Sequence, residues 1–275
     1  MLKVSFSNGK HTIPAVNKAM ELVRVLAEEQ GETTTKALSI RLRVPRTTCY
    51  RILRSLVLKD WVRAVDGGRH ELSLGLFPLL QPLRQIEQLA VAVQPVLETL
   101  SIRARATTKV SVRQGDFAVT VARCESPQET SIAVRLGASF HLAFGSSGSA
   151  LLSGLSLVDA QQILACAPAE CWQHQRPANV LGRLKEIRAK GWCADMGTYR
   201  PSCHAISVPL CDSQGGVPAA MTIIGFPHEL PRERHSELSR MLMDAARQAE
   251  KALRKLSQRH KRGRNEIAIP MASEA

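Results

Sequence analysis

Thr33-Thr34-Thr35-Lys36-Ala37-Leu38-Ser39-Ile40-Arg41-Leu42-Arg43-Val44-Pro45-Arg46-Thr47-Thr48-Cys49-Tyr50-Arg51-Ile52-Leu53-Arg54 is the stretch from which the fold of the first domain is read. The threonine run supplies a helix cap, and Ala37, Leu38, Ile40 and Leu42 then give an apolar face. After a break at Arg43-Val44, Pro45 opens a second helix, since its fixed φ suits a first helical turn and its missing N–H is not needed there. That second helix carries Arg46, Thr47, Thr48, Tyr50, Arg51 and Arg54 on one side and offers Ile52, Leu53, Leu56 and Val57 to a core. Side chains of this kind on the exposed side of a helix suit the donors and acceptors of a DNA major groove. Thr35, at the start of the preceding helix, joins the candidate DNA contacts.

The residues that follow strengthen this reading. Trp61-Val62-Arg63-Ala64-Val65 alternates as a strand does, Asp66-Gly67-Gly68 is a tight-turn signal, and Arg69-His70-Glu71-Leu72-Ser73-Leu74 alternates back. A hairpin in this position is the wing of a winged helix-turn-helix. Arg63, Arg69 and His70 are then expected near the phosphate backbone, where positive charge adds affinity without reading sequence. The competing reading is a small helical domain whose arginines are merely solvated. The order helix, helix, proline-started basic helix and glycine-turn hairpin argues against it.

Charge is distributed accordingly. The formal net charge is +13; residues 1–75 hold 13 Lys/Arg against 7 Asp/Glu, whereas residues 76–250 hold 17 against 15. Lys251 to Arg264 adds 7 basic residues and no acidic one, a pattern more usual in a solvated helix end than in a nucleic-acid contact. A basic module on a nearly neutral body suggests a reader domain joined to something else. At 275 residues and 44% hydrophobic, the chain has material for two cores. It has no apolar run long enough to cross a bilayer, and Met1-Leu2-Lys3-Val4-Ser5-Phe6 lacks the apolar centre of a secretion signal. Seven irregularly spaced cysteines read as reduced thiols, so a cytoplasmic protein is expected.

Working outward, a first helix is expected from Pro14 to Gln30, stopping at Gly31, with Val16, Met20, Leu22, Val23, Val25, Leu26 and Ala27 as its apolar stripe. Beyond the wing, a helical tract from Leu76 to Arg105 contains Pro78, Pro82 and Pro95, which predict breaks or kinks near each. Its apolar residues, Leu76, Phe77, Leu79, Leu80, Leu83 and Ile86 among them, exceed what a linker needs and imply packing on a partner subunit. In the second half, residues 108–113 and 117–123 form one hairpin pattern around Gln114-Gly115-Asp116. Residues 205–210 and 219–224 form another, around Asp212 to Gly216. Helical stretches are expected near 145–154, 156–166 and 178–190, and a long helix from Pro231 to Gln258. The result is an antiparallel sheet with helices on its faces, an α+β layout suited to sensing a small molecule.

Several constellations carry less. Cys166, Cys171 and His174 are loosely spaced like metal ligands, but no second pair completes four, and no metal or cofactor is expected. Cys203-His204 are strand neighbours pointing to opposite faces and do not form a nucleophile and base. Gly145-Ser146-Ser147-Gly148 lacks the spacing of a nucleophile elbow, and neither a P-loop nor a dinucleotide fingerprint occurs. An enzyme is therefore not expected.

From about Val16 to Leu256 the chain resembles the IclR-type transcriptional regulators. Val44 to Leu53 looks like that family's recognition helix. Arg135-Leu136-Gly137, Gly148-Ser149-Ala150-Leu151-Leu152, Gly191-Trp192-Cys193-Ala194-Asp195 and Ala205 to Asp212 follow its C-terminal blocks in order and spacing. Three positions depart from the pattern: Ser149 stands for the usual lysine, Thr198 for a glutamate and Ala205 for a frequent cysteine. The resemblance implies a winged helix-turn-helix over 10–75, a linker helix over 76–105 and a GAF-like α/β effector-binding and oligomerisation domain over 106–260. A basic, disordered tail over 261–275 completes the expected organisation. It also implies an effector pocket formed by Ile132, Phe140, Ser146, Ser147, Asp195, Cys203, Ala205, Thr222 and Ile224. Main-chain N–H groups of Ser146 and Ser147, at a helix start, would hold a carboxylate; Asp195 and Thr222 offer directional hydrogen bonds, and Ile132, Phe140 and Ile224 offer apolar walls. Core packing or capping explains each of these residues equally well taken singly. The expected partners are double-stranded DNA with a palindromic operator, a small organic effector, and further copies of the chain in a homodimer or homotetramer; no membrane is involved. Two other readings stay open: a DNA-binding protein whose second domain only oligomerises, and an enzyme of unknown reaction.

Overall fold

The computed structural model describes residues 13–28, 33–212 and 215–266, with side chains to residue 254. The chain divides between Arg84 and Gln85 into two compact units.

The first unit opens with α1 (Pro14–Glu28), which buries Leu22, Val25 and Leu26 and leaves Val16 and Met20 exposed. The expected end of this helix at Gln30–Gly31 lies outside the described residues. Strand β1 (Thr33–Thr34) runs directly into α2 (Thr35–Leu42), whose N-cap is Thr34: its hydroxyl accepts from the Ala37 N–H at 3.2 Å. Only Leu38 of α2 is fully buried; Ile40 is 68% exposed, so the expected face of four apolar residues narrows to Leu38 and, in part, Leu42. Arg43, at φ 52°, ends α2 in the left-handed region and turns the chain towards Pro45, which caps α3 (Arg46–Leu58). In α3, Cys49 and Leu53 are buried and Ile52 and Leu56 pack on them, a spacing of three and four that puts them on one face. Val57, expected in this set, falls beyond that arc and is exposed.

Strands β2 (Val62–Val65) and β3 (Arg69–Leu72) form the expected hairpin, with Gly67 and Gly68 at φ 76° and 69° in its turn. Thr33 and Thr34 pair with His70 and Arg69, giving a three-stranded sheet in the order β1-β3-β2. This unit is a winged helix-turn-helix.

The tract after the wing breaks at two of its three prolines. A 3-10 turn (Leu74–Leu76), the short α4 (Phe77–Leu80) and a second 3-10 turn (Gln81–Leu83) precede α5 (Arg84–Ala104), which runs on through Pro95. Pro95 can donate no hydrogen bond to the carbonyl of Val91, and Val91 is 68% exposed, so water can satisfy that carbonyl. Helix α5 buries Leu89, Val93, Leu97, Leu100 and Ala104 in the core of the second unit. Most of the expected separate linker therefore belongs to that core.

The second unit is built on a six-stranded antiparallel sheet in the order β6-β5-β4-β9-β8-β7. The strands are β4 (Thr107–Gln114), β5 (Phe117–Cys124), β6 (Ser139–His141), β7 (Cys193–Met196), β8 (His204–Leu210) and β9 (Ala219–Gly225). On one face Val110, Val112, Ile206, Val208, Met221 and Ile223 pack with α5 and with α9 (His235–Glu266). On the other, Ala118, Ala220 and Cys193 pack with α6 (Gly145–Leu152), α7 (Leu157–Ala165) and α8 (Pro177–Lys190). Gly148 lets α6 approach this closely: a Cβ there would lie 2.1 Å from the Leu142 carbonyl oxygen. The α9 backbone continues through Glu266, so residues 261–266, expected as tail, extend a helix rich in the good helix formers Lys and Arg. Residues 267–275 lie outside the described part.

Candidate functional site

In the first unit, α3 presents Arg46, Thr47, Tyr50, Arg51 and Arg54 as exposed side chains, with Thr48 half-buried. Positions 46, 47, 50, 51 and 54 lie on one side of the helix because 49, 52, 53 and 56 are taken by the core. Arg46, Thr47, Tyr50 and Arg51 line, with Thr35 of α2, a shallow open depression of about 480 Å³. Among the described residues no carboxylate pairs with Arg46, Arg51 or Arg54. These guanidinium groups therefore keep their donors available.

The wing is more committed. Arg63 is ion-paired with Glu71 across the hairpin, and the Arg69 Nε donates to the Asp66 carbonyl at 2.9 Å. Burial pushes the His70 imidazolium below its usual range, and its Nδ1 is buried without a partner. This weakens the positive charge expected of His70 and leaves Arg63 and Arg69 as the wing's main cations.

In the second unit the sheet face beneath α6 is polar where a core would be apolar. Antiparallel register aligns Lys109, Thr222, Ser207 and Cys193 in one row across β4, β9, β8 and β7. The next row on the same face is Thr107, Ile224, Ala205 and Asp195. Ser207 Oγ lies 2.8 Å from both Ser146 Oγ of α6 and Thr222 Oγ1, forming a buried chain of three hydroxyls. The Thr107 hydroxyl donates to the Ile132 carbonyl at 3.0 Å, and Phe140 of β6 lies over the Lys109 ammonium, 4.4 Å from ring centroid to Nζ. Ser146, Ser147, Asp195 and Thr222 are buried; Ile132, Phe140, Cys203, Ala205 and Ile224 are half-buried. Residues scattered over 132–224 in sequence thus converge on one face.

Asp195 is more occupied than its sequence reading suggests. Its Oδ1 accepts from the Thr198 N–H at 2.8 Å, from the Thr198 hydroxyl and from the Tyr199 N–H at 3.3 Å, capping the turn after β7. Its Oδ2 lies 4.0 Å from Arg183 Nη1 and 3.5 Å from where a Cβ on Gly145 would sit, at the start of α6. Helix α6 has no side-chain cap, so the first main-chain N–H groups, those of Ser146 and Ser147 included, have no acceptor within the helix.

Three residues outside the expected set are prominent. Arg183 of α8, 4% exposed, donates to Ser149 Oγ at 2.8 Å, to Gln175 Oε1 at 2.8 Å and to Thr198 Oγ1 at 3.1 Å. Ser149 and Thr198, two of the three departures from the family pattern, are therefore joined by one guanidinium. A lysine at 149 would face it with a second cation. Ser207 is the middle hydroxyl of the chain.

Lys109 is 6% exposed, and among the described residues its ammonium has neither a hydrogen bond nor a carboxylate partner. Burial pushes its pKa down to about 8, opposed by the Cys203 side chain, itself pushed up to about 11 by burial. Leaving water costs an ammonium several kcal/mol, and a ring face returns about 0.5–2 kcal/mol. Lys109 stands in a strand whose polar alternation reads as solvent-facing; only the position of β4 between β5 and β9, with helices on both faces, reveals it as interior. Among the described residues no group of three or more His, Cys, Asp or Glu could hold a metal ion, and no helix is long and apolar enough to cross a membrane.

A winged helix-turn-helix joined to a helix-covered sheet with a polar interior defines a transcriptional regulator with a separate second domain. Residues 84–251 match the family model described as bacterial transcriptional regulator IclR C-terminal, and residues 21–74 match the model of the sugar-specific transcriptional regulator TrmB. The chain belongs to the IclR family. Among its relatives are the Pca regulon regulatory protein of Pseudomonas putida, 21% identical over 80% of this chain and 76% of that protein, and the HTH-type transcriptional repressor AllR of Escherichia coli K12, 22% identical over 87% and 90%. The fold matches the crystal structure of the Thermotoga maritima IclR with TM-score 0.66 and 20% identity, over 86% of this chain and 98% of that one. An IclR homologue of Microbacterium hydrocarbonoxydans, crystallised with 4-hydroxybenzoate, matches with TM-score 0.64 and 21% identity, over 88% and 98%. These relatives are transcriptional regulators and not enzymes.

Proposed function

We propose that the chain is a sequence-specific DNA-binding repressor or activator controlled by a small organic effector, a carboxylate of a catabolic pathway. The observation that carries this reading is the row of exposed, unpaired arginines on α3 in one unit, together with a convergent buried polar face within the other. Arg46, Thr47, Thr48, Tyr50, Arg51 and Arg54 take base or phosphate contacts, Thr35 flanks them, and Arg63 and Arg69 meet phosphates. Ile132, Phe140, Cys203, Ala205 and Ile224 wall the effector site, while Thr222, Asp195 and the Ser146 and Ser147 N–H groups hold ligand oxygens. The 4-hydroxybenzoate complex of the Microbacterium homologue supports a small organic acid as ligand. The working unit is a cytoplasmic homodimer or homotetramer on a palindromic operator, the effector acting through its differential affinity for two arrangements of the DNA-reading domains. Selection of bound DNA from a random library at physiological salt tests the first half. Enrichment of a palindrome with half-sites about one helical turn apart is the expected result. Failure to enrich any sequence, with and without a panel of keto, sugar and aromatic acids, would refute it.

A further inference from the structure

We propose that Lys109, with the hydroxyls of Ser111 and Thr120 beside it, is the seat for the carboxylate of an organic-acid effector and sets this chain's preference for anionic over neutral ligands. The proposal rests on the reading of the second unit as a ligand sensor and adds the residue that chooses the ligand's charge.

Two buried hydroxyls without partners and a buried lysine whose ammonium contacts a ring face but has no hydrogen bond share one face of the sheet. Lys109 and Ser111 are two residues apart on β4, so their side chains leave the same face, and Ser111 lies directly opposite Thr120 on β5. The Ser111 and Thr120 hydroxyl oxygens are both buried with no hydrogen-bond partner. Buried hydroxyls and ammonium groups in folded proteins are nearly always hydrogen-bonded, so two orphaned hydroxyls beside a cation held only by a ring face mark a place that something else completes. That something is an anion, because the largest unmet demand is the positive charge of Lys109 and the two hydroxyls can donate alongside it.

The surroundings fix where the rest of the ligand lies. Phe140 covers the ammonium on one side, and Thr222 is its register neighbour, from which the hydroxyl chain runs to Ser207 and Ser146. The other charged or titratable groups near this point are Arg123, the register partner of Lys109 on β5, whose charge is taken up by an ion pair with Glu125, then Cys203, which interacts with Lys109, and Asp195 and Arg200, which interact with Cys203. Asp195 already brings a carboxylate to the start of α6 and would repel a second one there. A ligand carboxylate is therefore favoured at Lys109, with the ligand's other oxygens directed towards the α6 N–H groups.

Calorimetric binding and thermal shift on the full chain would compare matched pairs at constant ionic strength: acetate with acetamide, benzoate with benzamide, 4-hydroxybenzoate with its amide, pyruvate with its amide, and inorganic phosphate. The wild type, Lys109→Met and Lys109→Arg would each be measured. At least one carboxylate should bind the wild type while its amide does not, Lys109→Met should weaken it by about tenfold or more, and Lys109→Arg should keep the preference for the anion. In wild-type protein carrying 13C-methylated lysines, the Lys109 resonance, identified by its absence in Lys109→Met, should move with the same carboxylate. Equal binding of acid and amide, equal affinity in Lys109→Met, a response to phosphate alone, or no carboxylate binding would each overturn the proposal. Lys109-dependent carboxylate binding with no effect on DNA affinity would leave the seat standing and refute the regulatory reading instead.

Discussion

Lys109→Met should stabilise the protein below pH 8, and the gain should vanish in alkali. The ammonium titrates near 10.5 in the unfolded chain and at about 8 in the folded one, where burial disfavours its charged form. The sign follows from proton counts: between these two pH values the unfolded chain holds a proton that the folded chain has released, so wild-type stability rises with pH across that window. Below the window both states are protonated, and the full cost of burying the cation is present. At about 1.4 kcal/mol per unit, the difference amounts to at most about 3.5 kcal/mol at pH 7. Methionine keeps a similar volume and removes the charge, so the variant lacks this cost throughout. Equilibrium urea unfolding of both proteins at one fixed concentration, at pH 7 and at steps to pH 10, would measure the gap. A gap that is absent at pH 7, or one that does not shrink with rising pH, would show that Lys109 is not the desolvated cation described here. A site residue that lowers the stability of its own fold fits a role in binding.

Arg51→Ala should weaken operator binding by about 1–3 kcal/mol if its guanidinium reads a guanine, measured by fluorescence anisotropy on the selected DNA; unchanged affinity removes Arg51 from the reading face. Gly148→Ala should destabilise by roughly 1–3 kcal/mol or more, because the new Cβ meets a backbone carbonyl that cannot rotate away; a melting temperature equal to wild type would contradict the close approach of α6 to Leu142. Arg183→Leu should cost about 3–5 kcal/mol by leaving the Asp195 carboxylate buried without its cation, and adding Asp195→Asn should recover part of that loss. Additive effects in that double-mutant cycle would show that the two residues do not act together.

The local signals that survived are those with a backbone reason. Pro45 fixes its own φ, and the paired glycines at 67 and 68 admit the positive φ that a tight turn needs, so the start of α3 and the turn of the wing were both legible. Apolar identity proved a weaker guide: Ile40 and Val57 lie outside the buried arc because this small unit has room for one buried side chain from α2 and two from α3. Strand β1 was hidden because two residues carry no alternation, and nothing local announces that α5 runs on past Pro95, because tertiary packing supports the helix there. Seven of the nine candidate effector residues lie on one sheet face or against it, and Lys109 and Arg183 were missed. Nothing local distinguishes a buried cation from a solvated one; the distinction is set by which strands become central and which helix lies over them.

Thr33 and Thr34 couple the parts of the DNA-reading unit in a way that matters for any attempt to transplant its specificity. Within two residues they extend the wing's sheet by pairing with Arg69 and His70 and cap the helix that precedes α3. Moving residues 46–58 alone onto another scaffold would carry the base-contacting side chains and abandon the struts that set their angle. The smallest segment that can be exchanged as a cassette runs from Thr33 through Leu72, and chimaeras cut inside it should lose selectivity before they lose their charge-driven grip on DNA.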